Sequence, residues 1–147
     1  MILKKKLKAI LLVDDDEGTN YFHNHIIKKA NVSENVYIAY NGIEALDFLK
    51  KCAADKQMDG TRLEPDLILL DINMPKVNGW DFLEEYKKLK EELKEQIIIV
   101  MLTTSFNPDD EIKARSIKEI TDYKYKPLSD EMLEEILRNH FPDNVEE

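Results

Sequence analysis

The strongest constraint in this chain is a run of four apolar residues, Leu67-Ile68-Leu69-Leu70, that ends on Asp71. It passes at once into Ile72-Asn73-Met74-Pro75 and, shortly after, Asn78-Gly79. A continuous apolar run without alternation reads as a strand covered on both faces, the kind a parallel sheet requires. In open α/β sheets, chemistry collects just beyond the carboxyl ends of such strands. Asp71 holds that position, although an aspartate ahead of Asn and Pro is also an ordinary turn former.

The remainder alternates such runs with helical periodicity. Residues 8–13 are a first apolar run that meets Asp14-Asp15-Asp16. Over 17–30, Phe22, Ile26 and Ala30 recur at spacing four with Ile27 beside them, which predicts an amphipathic helix. Residues 36–39 predict a short second strand. Asn41 with Glu44 three places on reads as a capping box, opening a second helix that turns Ile43, Leu46 and Leu49 inward. The stretch 50–64 is polar and aperiodic, with a turn at Asp59-Gly60. A third helix over 80–93 places Phe82, Leu83, Tyr86, Leu89 and Leu93 on one face, with Trp80 as a packing residue. Residues 97–102 predict a central strand. Pro108 opens a fourth helix anchored by Ile112 and Ile117, and 121–125 predict a polar edge strand. Ser129 caps a fifth helix bearing Met132, Leu133, Ile136 and Leu137, with Asp130 and Glu131 in its first turn. Five strands and five helices in strict alternation predict an α/β fold, a doubly wound parallel sheet with right-handed crossovers.

Length and charge narrow the function classes. A chain of 147 residues suits one domain, and with the fifth helix close to its end no output domain is expected to follow. A net charge of −9 argues against direct binding to nucleic acid, which needs cations to neutralise phosphates. The lone Cys52 excludes an internal disulfide, fits a reducing cytoplasm and reads as a buried thiol. Lys4, Lys5, Lys6 and Lys8 read as a solvated lead-in, and no apolar stretch is long enough to span a membrane.

Right-handed βα units put the C-terminal end of every strand on one edge of the sheet. Asp14-Asp15-Asp16, Asp71 to Asn73, Thr103-Thr104-Ser105 and Lys126 are therefore expected to converge there. Gathered carboxylates raise one another's pKa, an unfavourable arrangement that a cation relieves. Oxygen-only donors suit Mg²⁺ better than zinc. A carboxylate beside a metal and facing a lysine can attack a phosphoryl group, while metal, lysine and the Thr103 hydroxyl neutralise the transferring oxygens. Singly, these residues read as an N-cap, a turn, a second cap and a surface lysine; together at one edge they read as a site. His23 and His25 are two apart and cannot share a helix face. With His140 they are read as surface residues without chemistry.

Val13-Asp14-Asp15, Asp71 with Asn73-Met74-Pro75 and Gly79, Leu102-Thr103, and Tyr123 followed by Lys126-Pro127 together resemble the receiver domain of two-component response regulators. The resemblance spans nearly the whole chain, in order and with the family's spacings. It implies a flavodoxin-like sheet of order 2-1-3-4-5 and a single receiver over 1–147 with its core at 8–140. It implies that Asp71 accepts a phosphoryl group from a phosphohistidine on a sensor histidine kinase or histidine phosphotransfer protein. Asp14, Asp15, Asp71 and the Asn73 backbone carbonyl would hold Mg²⁺; Thr103, Lys126 and the Thr104 backbone would bind the phosphate. Thr103 and Tyr123 would form a coupled switch, and the Lys126-Pro127 bond is cis in many receivers. A downstream effector protein would dock on helix four, strand five and helix five, and a phosphorylation-dependent homodimer is a further form the resemblance allows. Three consecutive aspartates leave Asp15/Asp16 as an alternative register, but the family places its pair directly after the valine, favouring Asp14/Asp15. The long 50–64 connection and the Thr103-Thr104-Ser105 run are shared with small phytochrome-associated stand-alone receivers.

Three other functions compete. A Mg²⁺-dependent phosphohydrolase wants an acid two residues after its nucleophile, and the amide of Asn73 cannot protonate a leaving group. A flavodoxin-like cofactor binder would need a phosphate-cradling loop where the aspartates stand. A phosphorylation-independent interaction domain would have no use for the full acceptor set. The chain is thus expected to be a switch and not a turnover enzyme.

Overall fold

The four apolar residues ahead of Asp71 form a strand whose every residue is buried, at the centre of a five-stranded parallel sheet. A computed structural model of the chain describes residues 3–55, 64–74, 78–93 and 96–146. In chain order the elements are β1 (Leu7–Val13), α1 (Glu17–Ala30), β2 (Ser33–Ala39), α2 (Gly42–Asp55), β3 (Leu67–Leu70) and α3 (Gly79–Leu89). They continue with β4 (Ile98–Thr103), α4 (Pro108–Ser116), β5 (Asp122–Tyr125) and α5 (Asp130–His140). The strand order β2-β1-β3-β4-β5 is the doubly wound, flavodoxin-like arrangement expected.

Because side chains alternate along a strand, the sheet feeds two cores. Leu11, Val13, Ile68, Leu70, Ile99 and Met101 meet α2, α3 and Ala114 of α4 on one face. Ile10, Leu12, Leu67, Leu69, Val100 and Leu102 meet Ile27 of α1 and Leu133, Ile136 and Leu137 of α5 on the other. Among the described residues no helix is long and apolar enough to cross a membrane.

Several local expectations are corrected. β2 begins at Ser33, because an edge strand can carry the polar Ser33-Glu34-Asn35 on its half-exposed faces. α2 continues to Asp55, so the start of the predicted connection is helical; residues 56–63, with the expected Asp59-Gly60 turn, lie outside the described residues. The inward face of α2 is Ala45, Leu46, Leu49, Cys52 and Ala53, which leaves Ile43 45% exposed on another side of the helix. Likewise α4 is held by Ala114, and Ile112, expected as an anchor, is 67% exposed. α3 ends at Leu89 and a 3₁₀ turn, Lys90–Glu92, carries the chain on to Leu93. Trp80 does pack against the core, with the Lys113 ammonium 4.5 Å over its ring.

The inward face of α1 departs furthest. Asn20, His23 and Ile27 are its buried residues, while Phe22 is 44% exposed and Ala30 is also exposed. His23 is therefore not a surface histidine. His140 is not one either, since it is part-buried against Asp122 with Nε2 3.1 Å from Oδ2. His25 is exposed as expected.

Candidate functional site

Strand register decides which side chains meet at the C-terminal edge. Val13 pairs with Leu70, Leu70 with Met101, and Thr103 with Tyr125. The ladder then continues one residue further on three strands. The Asp14 N–H donates to the Ala39 carbonyl at 3.1 Å, Asp71 N–H to Val13 at 2.9 Å, and Lys126 N–H to Thr103 at 2.9 Å. Asp14, Asp71 and Lys126 are thus fixed by backbone pairing and not left to the loops.

Asp14 and Asp71 are buried and Asp15 is exposed; one carboxylate oxygen of each lies within 4.8 Å of the others. Lys126 Nζ stands 2.5 Å from Asp14 Oδ2 and 3.4 Å from Asp71 Oδ1. Burial pushes the Asp71 carboxyl up to about 6; Lys126 opposes the rise, Asp14 adds to it, and the Asn73 N–H, 3.4 Å from Oδ1, opposes it. For Lys126, burial acts downward, but contact with Asp14 and the charges of Asp71 and Asp14 outweigh it and leave the ammonium raised. Among the described residues, three carboxylates facing one ammonium leave an excess of negative charge on oxygen donors, which fits a hard divalent cation.

Asp16 has a different job. As N-cap of α1 its carboxylate accepts from the Thr19 N–H at 2.9 Å and from the Thr19 hydroxyl, so it is drawn away from the cluster and Asp15 takes its place there. Thr103 is fully buried, and its Oγ1 accepts from the Ser105 N–H at 2.9 Å. Thr104 is exposed between them. Tyr123 is buried and stands edge-on to Tyr125 with centroids 5.7 Å apart. Its hydroxyl is buried and has no hydrogen-bond partner among the described residues. Burial, then Tyr125, Asp110 and Glu111, push that phenol up; the Thr103 side chain, close but not in hydrogen-bonding geometry, pulls it down. The Lys126-Pro127 bond is cis. Pro75 lies outside the described residues.

Gly79 serves close approach more than a turn. It is the first residue of α3, and a Cβ there would sit 2.7 Å from the Asp71 carbonyl oxygen and 2.9 Å from Ile72 Cα. Gly79→Ala must displace the backbone that carries Asp71. It is expected to lose about 1–3 kcal/mol of stability in chemical denaturation and to weaken divalent-ion binding in titration.

Sequence reasoning missed Asn20 and His23, which α1 turns toward this edge. Asn20 Nδ2 donates to the Asp14 carbonyl at 2.8 Å, and His23 Nε2 accepts from the Leu128 N–H at 3.3 Å. Their spacing of three with Ile27 one turn on was the available signal, hidden because neither is apolar.

Comparison with known proteins identifies the family and the fold. The family model described as the response regulator receiver domain matches residues 10–138. Response regulator Rcp1 from Synechocystis sp. is 35% identical over 105 residues, 71% of this chain and 67% of Rcp1. Among solved structures, the chain is similar to a two component response regulator from Cytophaga hutchinsonii, with a TM-score of 0.82 at 28% identity over 94% of this chain and 99% of the other. It is also similar to the Mn²⁺-bound form of response regulator Rcp1, with a TM-score of 0.69 at 28% identity over 95% of this chain and 97% of the other.

Proposed function

The chain belongs to the response regulator receiver domain family, whose members are phosphorylated in two-component signalling, and from that premise we propose that Asp71 is the phosphoacceptor. The observation that carries this reading is the buried Asp71 carboxylate, 3.4 Å from the Lys126 ammonium within a cluster of three carboxylates. The donor is a phosphohistidine on a sensor histidine kinase or a histidine phosphotransfer protein. An Asp71 carboxylate oxygen forms the bond to phosphorus as the phosphorus–nitrogen bond of the donor breaks. The departing imidazole keeps the electron pair and takes up a proton.

With its pKa near 6, Asp71 is mostly ionised at neutral pH yet poorly solvated, a suitable state for a nucleophile. Lys126 already faces it and can follow the transferring oxygens. The Thr103 oxygen accepts from Ser105, which leaves its own hydrogen free to donate to the phosphate alongside the Thr104 backbone N–H. Asp14, Asp15, Asp71 and the Asn73 carbonyl would hold Mg²⁺, which when bound neutralises charge on the phosphoryl oxygens. The Mn²⁺ in the Rcp1 relative supports a divalent ion at this edge, and the all-oxygen donor set favours Mg²⁺.

Transfer becomes signal through Thr103 and Tyr123. Tyr123 already lies inward, its hydroxyl without a partner among the described residues, so a Thr103 drawn toward phosphate changes what the buried ring packs against. The effector docks on α4, β5 and α5. Phe106 and Tyr125 stack there with centroids 5.0 Å apart, and Phe106 and Ile112 are 79% and 67% exposed. The chain acts as one receiver unit and as a switch; Asn73 gives it no leaving-group acid, and the reduced, buried Cys52 suits the cytoplasm.

Incubation with a small acyl-phosphate donor and Mg²⁺, followed by intact mass, tests this reading. Wild type is expected to gain one phosphate-sized adduct that a chelator abolishes. Labelling that ignores chelation would contradict the divalent-ion role.

A further inference from the structure

The inner face of α1 is polar where a helix packed on a sheet is ordinarily apolar. Asn20 and His23 are buried at 1% and 3% exposure, and each ties α1 to a backbone group outside the helix. Asn20 holds the carbonyl of Asp14, at the end of β1. His23 holds the amide of Leu128, two residues beyond Lys126. One helix face therefore ties Asp14 and the turn that follows Lys126, the two partners of a 2.5 Å contact.

The His23 tie bears on Lys126 because the ladder holds only the Lys126 N–H, at the Thr103 carbonyl, while Leu128 anchors the far end of the turn in the core. A cleft of about 420 Å³ opens between α1 and the turn, lined by Thr19, Phe22, His23, Thr104, Lys126 and Pro127. Leu128 itself is 1% exposed, so its N–H would go unpaired without the imidazole, a loss of about 1–3 kcal/mol. Burial pushes the His23 pKa down, with Asp14 opposing and Lys126 adding to the fall. The ring is accordingly neutral at neutral pH, with Nδ1 carrying the hydrogen and Nε2 free to accept.

We propose that His23, through its hydrogen bond from the Leu128 amide, is a positioning residue for phosphoryl transfer that sets where Lys126 stands over Asp71. The proposal rests on the reading of Asp71 as phosphoacceptor. A lysine displaced by about an ångström meets the transferring oxygens poorly, and errors of that size weaken catalysis by one to two orders of magnitude, roughly.

The test compares the rate of adduct formation from a small acyl phosphate with Mg²⁺ in full-length wild type, His23→Leu and His23→Gln. His23→Leu removes the acceptor and is expected to be slower by about tenfold; His23→Gln, which keeps an oxygen near the Nε2 position, is expected to recover to within about threefold. Mg²⁺ affinity by calorimetry is expected to stay within about twofold, and hydrogen exchange at the Leu128 amide to accelerate in His23→Leu alone. In a Lys126→Ala background the His23→Leu effect is expected to vanish, which a general loss of packing would not produce. If His23→Leu does not fold, His23→Asn, too short to reach Leu128, takes its place in the series. Wild-type rates in the acceptor-deleted variants, or an undiminished effect without Lys126, overturn the proposal. A wild type that takes up no phosphate overturns the acceptor reading and, with it, this one.

Discussion

Asp71→Asn is expected to abolish phosphoryl uptake and, in the absence of divalent ions, to stabilise the fold at neutral pH by about 3 kcal/mol. The two effects share one cause. Burial raises the Asp71 carboxyl to about 6, so its ionised form is disfavoured in the native state relative to the unfolded chain, where it titrates near 3.8. In the sign convention of linkage, the raised carboxyl favours the native state fully below about pH 4 and loses that contribution as pH rises through 6. Wild type therefore bears the full penalty at neutral pH, and an uncharged amide of the same shape escapes it. Denaturation in chelator should show the variant more stable at neutral pH and the gap closing toward about pH 4. Added Mg²⁺ should reverse the order, because only wild type retains the full set of carboxylates to bind it. A variant less stable than wild type in chelator at neutral pH would contradict the electrostatics assigned to the site.

Lys126→Ala is expected to have the opposite character. Among the described residues it removes the ammonium paired with Asp14 and Asp71, both buried, and leaves those two carboxylates without that partner. Breaking a buried pair from one side is destabilising by about 3–5 kcal/mol; the lysine stands at the mouth of the site, so about 2–3 kcal/mol is expected here. Mg²⁺ should restore much of that loss. The variant should bind the ion at least as tightly as wild type, since the Lys126 ammonium no longer competes for Asp14. Asp15→Ala, which removes the exposed carboxylate of the cluster and no ammonium, should instead lose Mg²⁺ affinity by about tenfold or more with little change in metal-free stability. Calorimetry and denaturation on both variants separate the roles. Parallel loss of Mg²⁺ affinity in the two would show that Lys126 is not the phosphate-facing cation.

Fold and site were legible to different depths. The alternation of apolar runs with 3.6-residue periodicity carries the topology, and runs such as Leu67–Leu70 have no other stable use. Asp14, Asp71, Thr103 and Lys126 were legible because each directly ends or follows a strand, where register puts it within one residue of its neighbours. Faces were less legible. Ile43, Ile112 and Phe22 were read inward because they are apolar, and all three are exposed. His23 and Asn20 were read outward or passed over because they are polar, and both are buried to satisfy backbone groups on other elements. Periodicity weighs apolarity alone, so it cannot see a helix face whose function is hydrogen bonding across more than a hundred residues of chain, as His23 does to Leu128. The Asp14-Asp15-Asp16 register was similarly open until the N-cap of α1 claimed Asp16.

Hydride trapping offers the most direct test of the phosphoacceptor assignment. Borohydride reduces an acyl phosphate, but not a free carboxylate, to an alcohol, so a phosphorylated aspartate becomes homoserine. After phosphorylation in Mg²⁺, reduction and peptide mapping, homoserine is expected at position 71 and at neither 14 nor 15. Homoserine at Asp14 or Asp15, or an adduct in the intact mass that leaves Asp71 unreduced, would contradict the assignment.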